Sequence, residues 1–322
     1  MARLFNQLVG HQTAQDRLLS AVEIGRLSPT LLLVGPAGIG KKLFARSMAQ
    51  ALVCEVDRRG CGECPSCRRI EKGESEALLH ISPNGTQIKI EQSHEILRFL
   101  NLRAWGRARV IIIEEAHRLN VQAANALLKA LEEPQEGTYF VLTAVSAYSV
   151  LSTIRSRSQI VRLAPLSRAD LGQIPGIEDW MKASCMGRLD VLNQLREPEV
   201  ITQRQATLQL WSQLGEKAPF EMAREMMEIG KDQEEGLRSS QWARQLIRDA
   251  LFKREGLVPF IHSDSLPEID KMSRLDPRIL HWLHAELLEI EEGIQRNWDR
   301  HLTWDAFFVR ANEAMNATKE SE

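Results

Sequence analysis

The sequence predicts an α/β amino-terminal half built on a parallel sheet, followed by an all-helical carboxy-terminal half. Three observations carry this. Short runs that are apolar at every position, residues 31–34 (LLLV) and 110–113 (VIII), alternate with helical patterns. A strand with no polar face is buried on both sides, as in a parallel sheet covered by helices. A glycine-rich stretch, GPAGIGK at 35–41, follows the first run and opens a helical pattern. Beyond Pro165 the strand signals stop, and six of the seven tryptophans lie there.

The elements follow in chain order. Residues 40–53 continue the glycine stretch as a helix with few breakers. Residues 119–133, rich in Ala and Leu, form a second helix that Pro134 stops, because proline has no N–H for the helix ladder. Residues 139–142 and 159–163 are two further short strands. Helical patterns then run over 168–196 and from 199 onward. Leu280, Leu283, Leu287, Ile290 and Ile294 repeat at 3-4-3-4 spacing, which makes one apolar seam on a long helix. Such a seam either packs within a helical domain or is shared with neighbouring subunits. Residues 317–322 read as a frayed polar tail.

Composition narrows the function classes. A chain of 322 residues fills two or three domains. With 43% apolar and 26% charged residues it is neither disordered, nor a disulfide-rich mini-fold, nor fibrous. Lys and Arg number 41 against 43 Asp and Glu, a net charge of −2, so any contact with DNA is local or shared with other chains. No apolar run approaches the ~20 residues that span a bilayer. The start, MARLF, has no signal-peptide core, which points to the cytoplasm and no membrane partner. Five cysteines there do not build a disulfide framework.

Two motifs carry chemistry. In the glycine stretch Gly35, Gly38 and Gly40 let backbone N–H groups converge on a phosphate, and Lys41 reaches further phosphate oxygens. A working phosphate loop then needs Ser or Thr to hold Mg²⁺. Lys42 stands there, and an ammonium repels the cation it should bind. Glu114 and Glu115 end the 110–113 strand, where an Asp-Glu pair would order the metal and the attacking water. Glu114 is one methylene longer than that Asp. Both metal-ordering positions thus depart together, which favours weak or lost hydrolysis. Whether ATP enters the loop or an anion merely fills it stays open.

The second motif is Cys54-x6-Cys61-x2-Cys64-x2-Cys67, four thiols within a Gly/Pro/Arg-rich segment. This density suits a closed, structural, tetrahedral Zn²⁺ site. Cys185 lies far off in a helical pattern and reads as a small buried side chain. Arg58, Arg59, Arg68 and Arg69 flank the cysteines, but Glu55, Asp57, Glu63, Glu71 and Glu74 interleave with them. The mixed patch reads as a solvated face rather than a nucleic-acid surface.

These motifs occur together in one family. The chain resembles the clamp-loader subunits of bacterial DNA polymerase III, AAA+ relatives, over nearly its whole length, and among them the delta-prime branch. LVGH at 8–11, the glycine loop, the cysteine module, ANALLKALEEP at 124–134, TIRSR at 153–157 and WARQLIRD at 242–249 carry the resemblance. It implies an AAA+ core over 1–165 with the zinc module at 54–67, a helical lid over 166–198, and a helical collar over 199–322. The collar would assemble a five-subunit spiral with the gamma/tau motor subunits and the delta subunit. Through that complex the chain would meet the sliding clamp and primed DNA.

The family's Ser-Arg-Cys motif reads Ser156-Arg157-Ser158 here, keeping the arginine and losing the cysteine. The resemblance implies that Arg157 is a finger reaching the ATP site of the next subunit, which calls for an unpaired planar cation at the chain's edge. Arg188 resembles the lid arginine of sensor 2, or pairs with a core acid where the loop is empty. Thr143 or Ala144 falls near sensor 1. The implied function is a clamp-loader subunit in DNA replication that completes a neighbour's ATPase site and hydrolyses little itself. No polymerase active site is visible. The alternatives are a gamma/tau-type motor, against which Lys42 and Glu114 argue, and a zinc-dependent nucleic-acid-binding protein, against which the near-neutral charge argues.

Overall fold

A computed structural model describes residues 3–102, 106–258 and 260–319. The chain divides into two compact units, one of residues 1–177 and 186–191, the other of 178–185 and 192–322. The segment 166–198 is thus apportioned between both.

The first unit is a three-layer α/β structure. Its five parallel strands are β1 (Thr30–Val34), β2 (Leu78–Ile81), β3 (Arg109–Ile113), β4 (Thr138–Ala144) and β5 (Gln159–Arg162), in the spatial order β2-β3-β4-β1-β5. The helices are α1 (Gln12–Glu23), α2 (Lys41–Val53), α3 (Pro65–Lys72), α4 (Ile90–Asn101), α5 (Val121–Glu132), α6 (Ser152–Arg155) and α7 (Arg168–Leu171). The uniformly apolar strands feed two cores. Leu31, Leu33, Val110, Ile112 and Val141 join Leu18, Phe44 and Met48 on one face. Leu32, Val34, Ile111, Ile113, Phe140 and Leu142 join Ile96, Leu127 and Leu131 on the other. Alternate side chains of one strand serve opposite faces, so neither face could be polar. This is the α/β core on a parallel sheet that the sequence predicts.

The edge strand β2 was not foreseen. Its sequence, LLHI, is only four residues, and three of them are partly or fully exposed. An edge position removes the continuous apolar signal.

Helices α8 (Asp179–Ser184) and α9 (Leu189–Gln194) break the 168–196 pattern into short pieces. The breaks fall at Gly176 (φ +73°) and Gly187 (φ +77°), where left-handed backbone ends a helix. The second unit holds α10 (Pro198–Trp211), α11 (Pro219–Ile229), α12 (Gln233–Arg254), α13 (Leu266–Met272), α14 (Pro277–Gln295) and α15 (Arg300–Lys319). Trp211, Trp304, Phe307 and Phe308 form its aromatic centre, with ring centroids 5.1–5.8 Å apart. The seam of Leu280, Leu283, Leu287, Ile290 and Ile294 is buried within the chain itself. It is therefore core packing, and the alternative of a seam shared between subunits falls away. Of the expected polar tail, 317–319 extend α15, and 320–322 lie outside the described residues.

A buried cation organises this second unit. Arg204 is 1% exposed, and its guanidinium stacks 3.8 Å over the Trp180 ring. It forms a two-pronged pair with Asp264 at 2.8 and 2.6 Å. It also donates to His262 Nδ1 at 2.9 Å. The His262 backbone N–H donates to Asp249 Oδ2 at 2.7 Å. Every polar group thus has a partner, which a buried ion pair requires.

Candidate functional site

The glycine loop leaves β1 and enters α2. Gly38 and Gly40 have φ of +72° and +93°, left-handed values that only glycine adopts without strain. At Gly35 space is the reason: a Cβ would lie 2.3 Å from the Leu163 carbonyl oxygen. His11, from the LVGH motif, bonds through Nε2 to the Ile39 carbonyl at 2.8 Å and so braces the loop from the amino-terminal side. Lys41 turns back on its own loop, donating to Gly35 O at 2.8 Å and to Pro36 O. Burial pushes the Lys41 ammonium pKa down, and Glu115 and Asp190 nearby only partly offset this.

The two residues that the sequence reading places at metal-ordering positions, Lys42 and Glu114, are joined to each other. Lys42 Nζ lies 3.1 Å from Glu114 Oε1, and His80 Nε2 lies 2.9 Å from the same oxygen. Burial pushes the Glu114 carboxyl up, but His80 and Lys42 outweigh it and hold the group below the ordinary carboxylate range. An ammonium therefore occupies the partner position of Glu114. The sequence reading expects Lys42 to repel a cation; it does not anticipate the pairing with Glu114.

Glu115 sits in left-handed backbone (φ 50°, ψ 50°), a costly conformation for a non-glycine residue. Its carboxylate meets Arg118 Nε at 2.5 Å. Its N–H donates to Thr143 Oγ1 at 3.0 Å, so Thr143, one of the two residues expected near sensor 1, touches the acidic pair through backbone. Ala144 ends β4, and its carbonyl accepts from Gly35 N–H at 3.2 Å.

Arg188 pairs with an acid, but not with one in the 1–165 core as the expectation had it: the partner is Asp190, two residues away in the same segment, at 3.2 and 2.7 Å. Asp190 in turn lies against the loop: a Cβ on Gly38 would be 1.7 Å from its Oδ1. Sequence reasoning missed Asp190, since no motif marks an acid two residues beyond Arg188.

Arg157 departs from expectation. Its guanidinium is not unpaired; it is ion-paired with Glu132, at the end of α5, and donates to Thr153 O at 2.8 Å. The side chain is 28% exposed. An exposed pair of this kind is worth about 0–1 kcal/mol, so Glu132 can be exchanged at small cost.

The four cysteines converge. Cys54 and Cys64 sulfurs are 4.0 Å apart, those of Cys61 and Cys67 are 3.9 Å apart, and all four lie within 4.8 Å of one another. A tetrahedral Zn²⁺ with Zn–S near 2.3 Å spaces its sulfurs about 3.8 Å apart. A disulfide needs about 2.05 Å. Backbone N–H groups of Asp57 and Cys61 point at Cys54 Sγ, and those of Glu63 and Cys64 at Cys61 Sγ, at 3.3–3.4 Å. The cluster can bind a metal ion, and its donor set and spacing fit zinc.

The cysteine module is also tied to its surroundings. Arg58 donates to the Val22 and Glu23 carbonyls at the end of α1, and Arg59 pairs with the Glu23 carboxylate. Cations at a helix carboxy-terminus meet its unsatisfied carbonyls. Two of the four flanking arginines thus tie the module to α1 while remaining on the solvated face. Arg69 reaches Ser66 Oγ at 3.5 Å. Cys185 is buried, with its Sγ 3.5 Å from the Lys182 carbonyl, remote from the cluster in sequence.

Comparison with known proteins bears on the first unit. Residues 10–167 match the family described as "DNA polymerase III, delta subunit". The chain is 37% identical over 131 residues to the DNA polymerase III subunit delta' of Pseudomonas aeruginosa, covering 39% of this chain and 40% of that one. It is 35% identical over 156 residues to DNA polymerase III subunit tau of Escherichia coli, covering 48% of this chain and 24% of that one. The chain thus spans less than two thirds of the length of these relatives. A solved structure of a DNA polymerase III gamma subunit-related protein from Thermotoga maritima aligns at a TM-score of 0.46 with 19% identity, over 93% of this chain and 98% of that one. No described helix is long and apolar enough to cross a membrane.

Proposed function

We propose, from the match of residues 10–167 to the "DNA polymerase III, delta subunit" family and from the likeness to delta' subunits, that the chain is a cytoplasmic clamp-loader subunit of delta-prime type that completes a neighbour's ATPase site while its own stays silent. Its partners are the gamma/tau motor subunits and the delta subunit. Through the assembled complex it helps place the sliding clamp on primed DNA. Residues 1–165 supply the AAA+ core, 166–198 the lid, and 199–322 the assembly collar. Zn²⁺, held by Cys54, Cys61, Cys64 and Cys67, is structural.

The observation that carries the silent-site reading is the Lys42–Glu114 pair, with its 3.1 Å separation. A Mg²⁺-nucleotide needs a neutral oxygen at position 42 and a free carboxylate at position 114. Here the two are neutralised by each other, and His80 shares the same oxygen. Arg157 supplies the trans function. Its guanidinium exchanges Glu132 for the γ-phosphate of the adjacent subunit, where its planar fork stabilises charge as it develops. The family's gamma/tau motors are the second reading, favoured by 35% identity to a tau subunit. Against it stand the same Lys42 and Glu114.

The deciding experiment measures ATP hydrolysis by the isolated chain, then by the chain mixed with motor subunits, clamp and primed DNA. A silent subunit shows negligible turnover alone and raises turnover in the mixture. Turnover like an ordinary AAA+ motor by the chain alone, abolished by Lys41→Ala, refutes the silent site.

A further inference from the structure

The four sulfurs of the cysteine module share one site but not one environment. Cys54, Cys64 and Cys67 are buried, whereas Cys61 is partly exposed. The local sequence explains the difference. Cys54 ends α2, and Cys64 and Cys67 open α3, so these three lie where the two helices meet the body of the unit. Cys61 lies between Gly60 and Gly62, at φ +83° and +77°, and neither neighbour has a side chain to cover its sulfur. A cysteine bound to a metal is deprotonated. A thiolate is oxidised according to its access to solvent, and buried structural cysteines are inert. The module therefore offers an oxidant one reachable sulfur and three sheltered ones.

We propose that Cys61 is a modification site for two-electron oxidants of the peroxide class, and that its oxidation expels the zinc and loosens the module. The Cys61 sulfur attacks one peroxide oxygen, the O–O bond breaks, and the departing hydroxide takes a proton and leaves as water. The Cys67 sulfur, 3.9 Å away, then attacks the sulfenic acid formed on Cys61. The S–S bond forms, the S–O bond breaks, and the oxygen leaves with a second proton as a second water. Two electrons have passed from the sulfur pair to the peroxide. Only Cys54 and Cys64 then remain as thiolate ligands, and the closed four-thiolate site is lost. Little else holds the segment, whose one large apolar side chain, Val56, is exposed. Gln50, which donates to the Cys67 carbonyl and accepts from Leu4 N–H, carries the change to the amino-terminal segment. A dithiol reductant attacks the disulfide and returns both thiols, so the change reverses when zinc is supplied. The proposal rests on the cluster holding zinc, but it fails separately from that reading.

The test treats the zinc-loaded full chain with hydrogen peroxide. Zinc release is followed with a chromogenic chelator, and disulfides are mapped early in the release by differential alkylation and mass spectrometry. Cys61–Cys67 should be the first disulfide, while Cys185, buried in the second unit, stays reduced. Cys61→Ser should lose zinc faster to the chelator alone, having one ligand fewer. Its peroxide-dependent release should nevertheless be at least about tenfold slower than in the wild type, a split that a merely structural ligand would not show. A peroxide-dependent rate equal to the wild type, or a first disulfide that leaves out Cys61, overturns the proposal. If Cys61→Ser does not retain zinc, the disulfide map of the wild type decides. Freshly reduced protein without zinc would overturn the metal reading and the proposal together; zinc-loaded protein that is oxidised first at other cysteines overturns the proposal alone.

Discussion

Removing the metal from the cysteine module should release a defined part of the first unit. The module has little else to hold it. Of its non-cysteine residues between 54 and 67, Val56 is the only large apolar side chain, and it is 76% exposed. A structural zinc site contributes roughly 10–16 kcal/mol, whereas each hydrogen bond contributes about 1 kcal/mol. The bonds from Arg58 to α1, Arg107 to the Cys54 carbonyl and Gln50 to the Cys67 carbonyl cannot replace it. Loss should spread to the amino-terminal segment. Arg3 donates to the Arg59 carbonyl at 3.0 Å, and Gln50, which accepts from Leu4 N–H at 2.8 Å, also reaches Cys67. The sheet should survive, since all five strands lie outside 54–67. Elemental analysis of freshly reduced protein should find about one zinc per chain. Amide exchange after chelation should rise over 54–73 and 3–8 and stay protected in β1, β3 and β4. Metal-free protein with the same protection pattern refutes the reasoning, and so does global unfolding on chelation.

Two further outcomes follow from the same structure. Lys42→Thr alone should not restore ATP hydrolysis in the isolated chain, because Glu114 stays one methylene longer than the metal-ordering Asp and His80 still occupies its oxygen; measurable Mg²⁺-dependent turnover by this variant would contradict that. Acid should destabilise the second unit through His262, whose pKa is pushed down to about 3 by burial first and Arg204 second. The folded value lies below the unfolded one, so the unfolded chain binds more protons between them, and stability present above about pH 6.5 is lost as pH falls, by at most about 1.4 kcal/mol per pH unit. Burial pushes the Asp249 carboxyl up and works the opposite way nearer the carboxylate range, so unfolding is followed from pH 7 to 5. The slope should flatten in His262→Gln, and an unchanged slope would assign it elsewhere.

The central strands were legible because burial on both faces leaves an apolar run that composition alone exposes. β1, β3 and β4 differ from the predicted runs by one to three residues. β2 escaped because an edge strand with His80 in it has no such run. Local motifs were likewise legible, as the glycine loop and the cysteine spacing show. Pairings across the sequence were not. Lys42 and Glu114 are 72 positions apart, and only the juxtaposition of the α2 start with the β3 end brings them together. Glu132 meets Arg157 across 25 positions for the same reason. Arg204 gave no signal, since a buried arginine on a helix looks like a solvated one until Trp180, His262 and Asp264 are folded around it.

The role of Arg157 is tested most directly in the assembled complex. Arg157→Ala should leave zinc content and assembly unchanged and cost the chain no more than about 1 kcal/mol, the worth of an exposed ion pair. A missing finger removes ~10³-fold or more at a fully dependent ATP site, and less over a complex whose other sites keep theirs. Arg157→Lys should rescue poorly, because an ammonium lacks the planar fork. At equal assembly with motor subunits, clamp and primed DNA, Arg157→Ala complexes should show reduced clamp-stimulated ATP hydrolysis and slower clamp loading. Loading at the wild-type rate would make Arg157 a surface residue paired to Glu132, and failure to assemble would make it structural; either result contradicts a finger acting in trans.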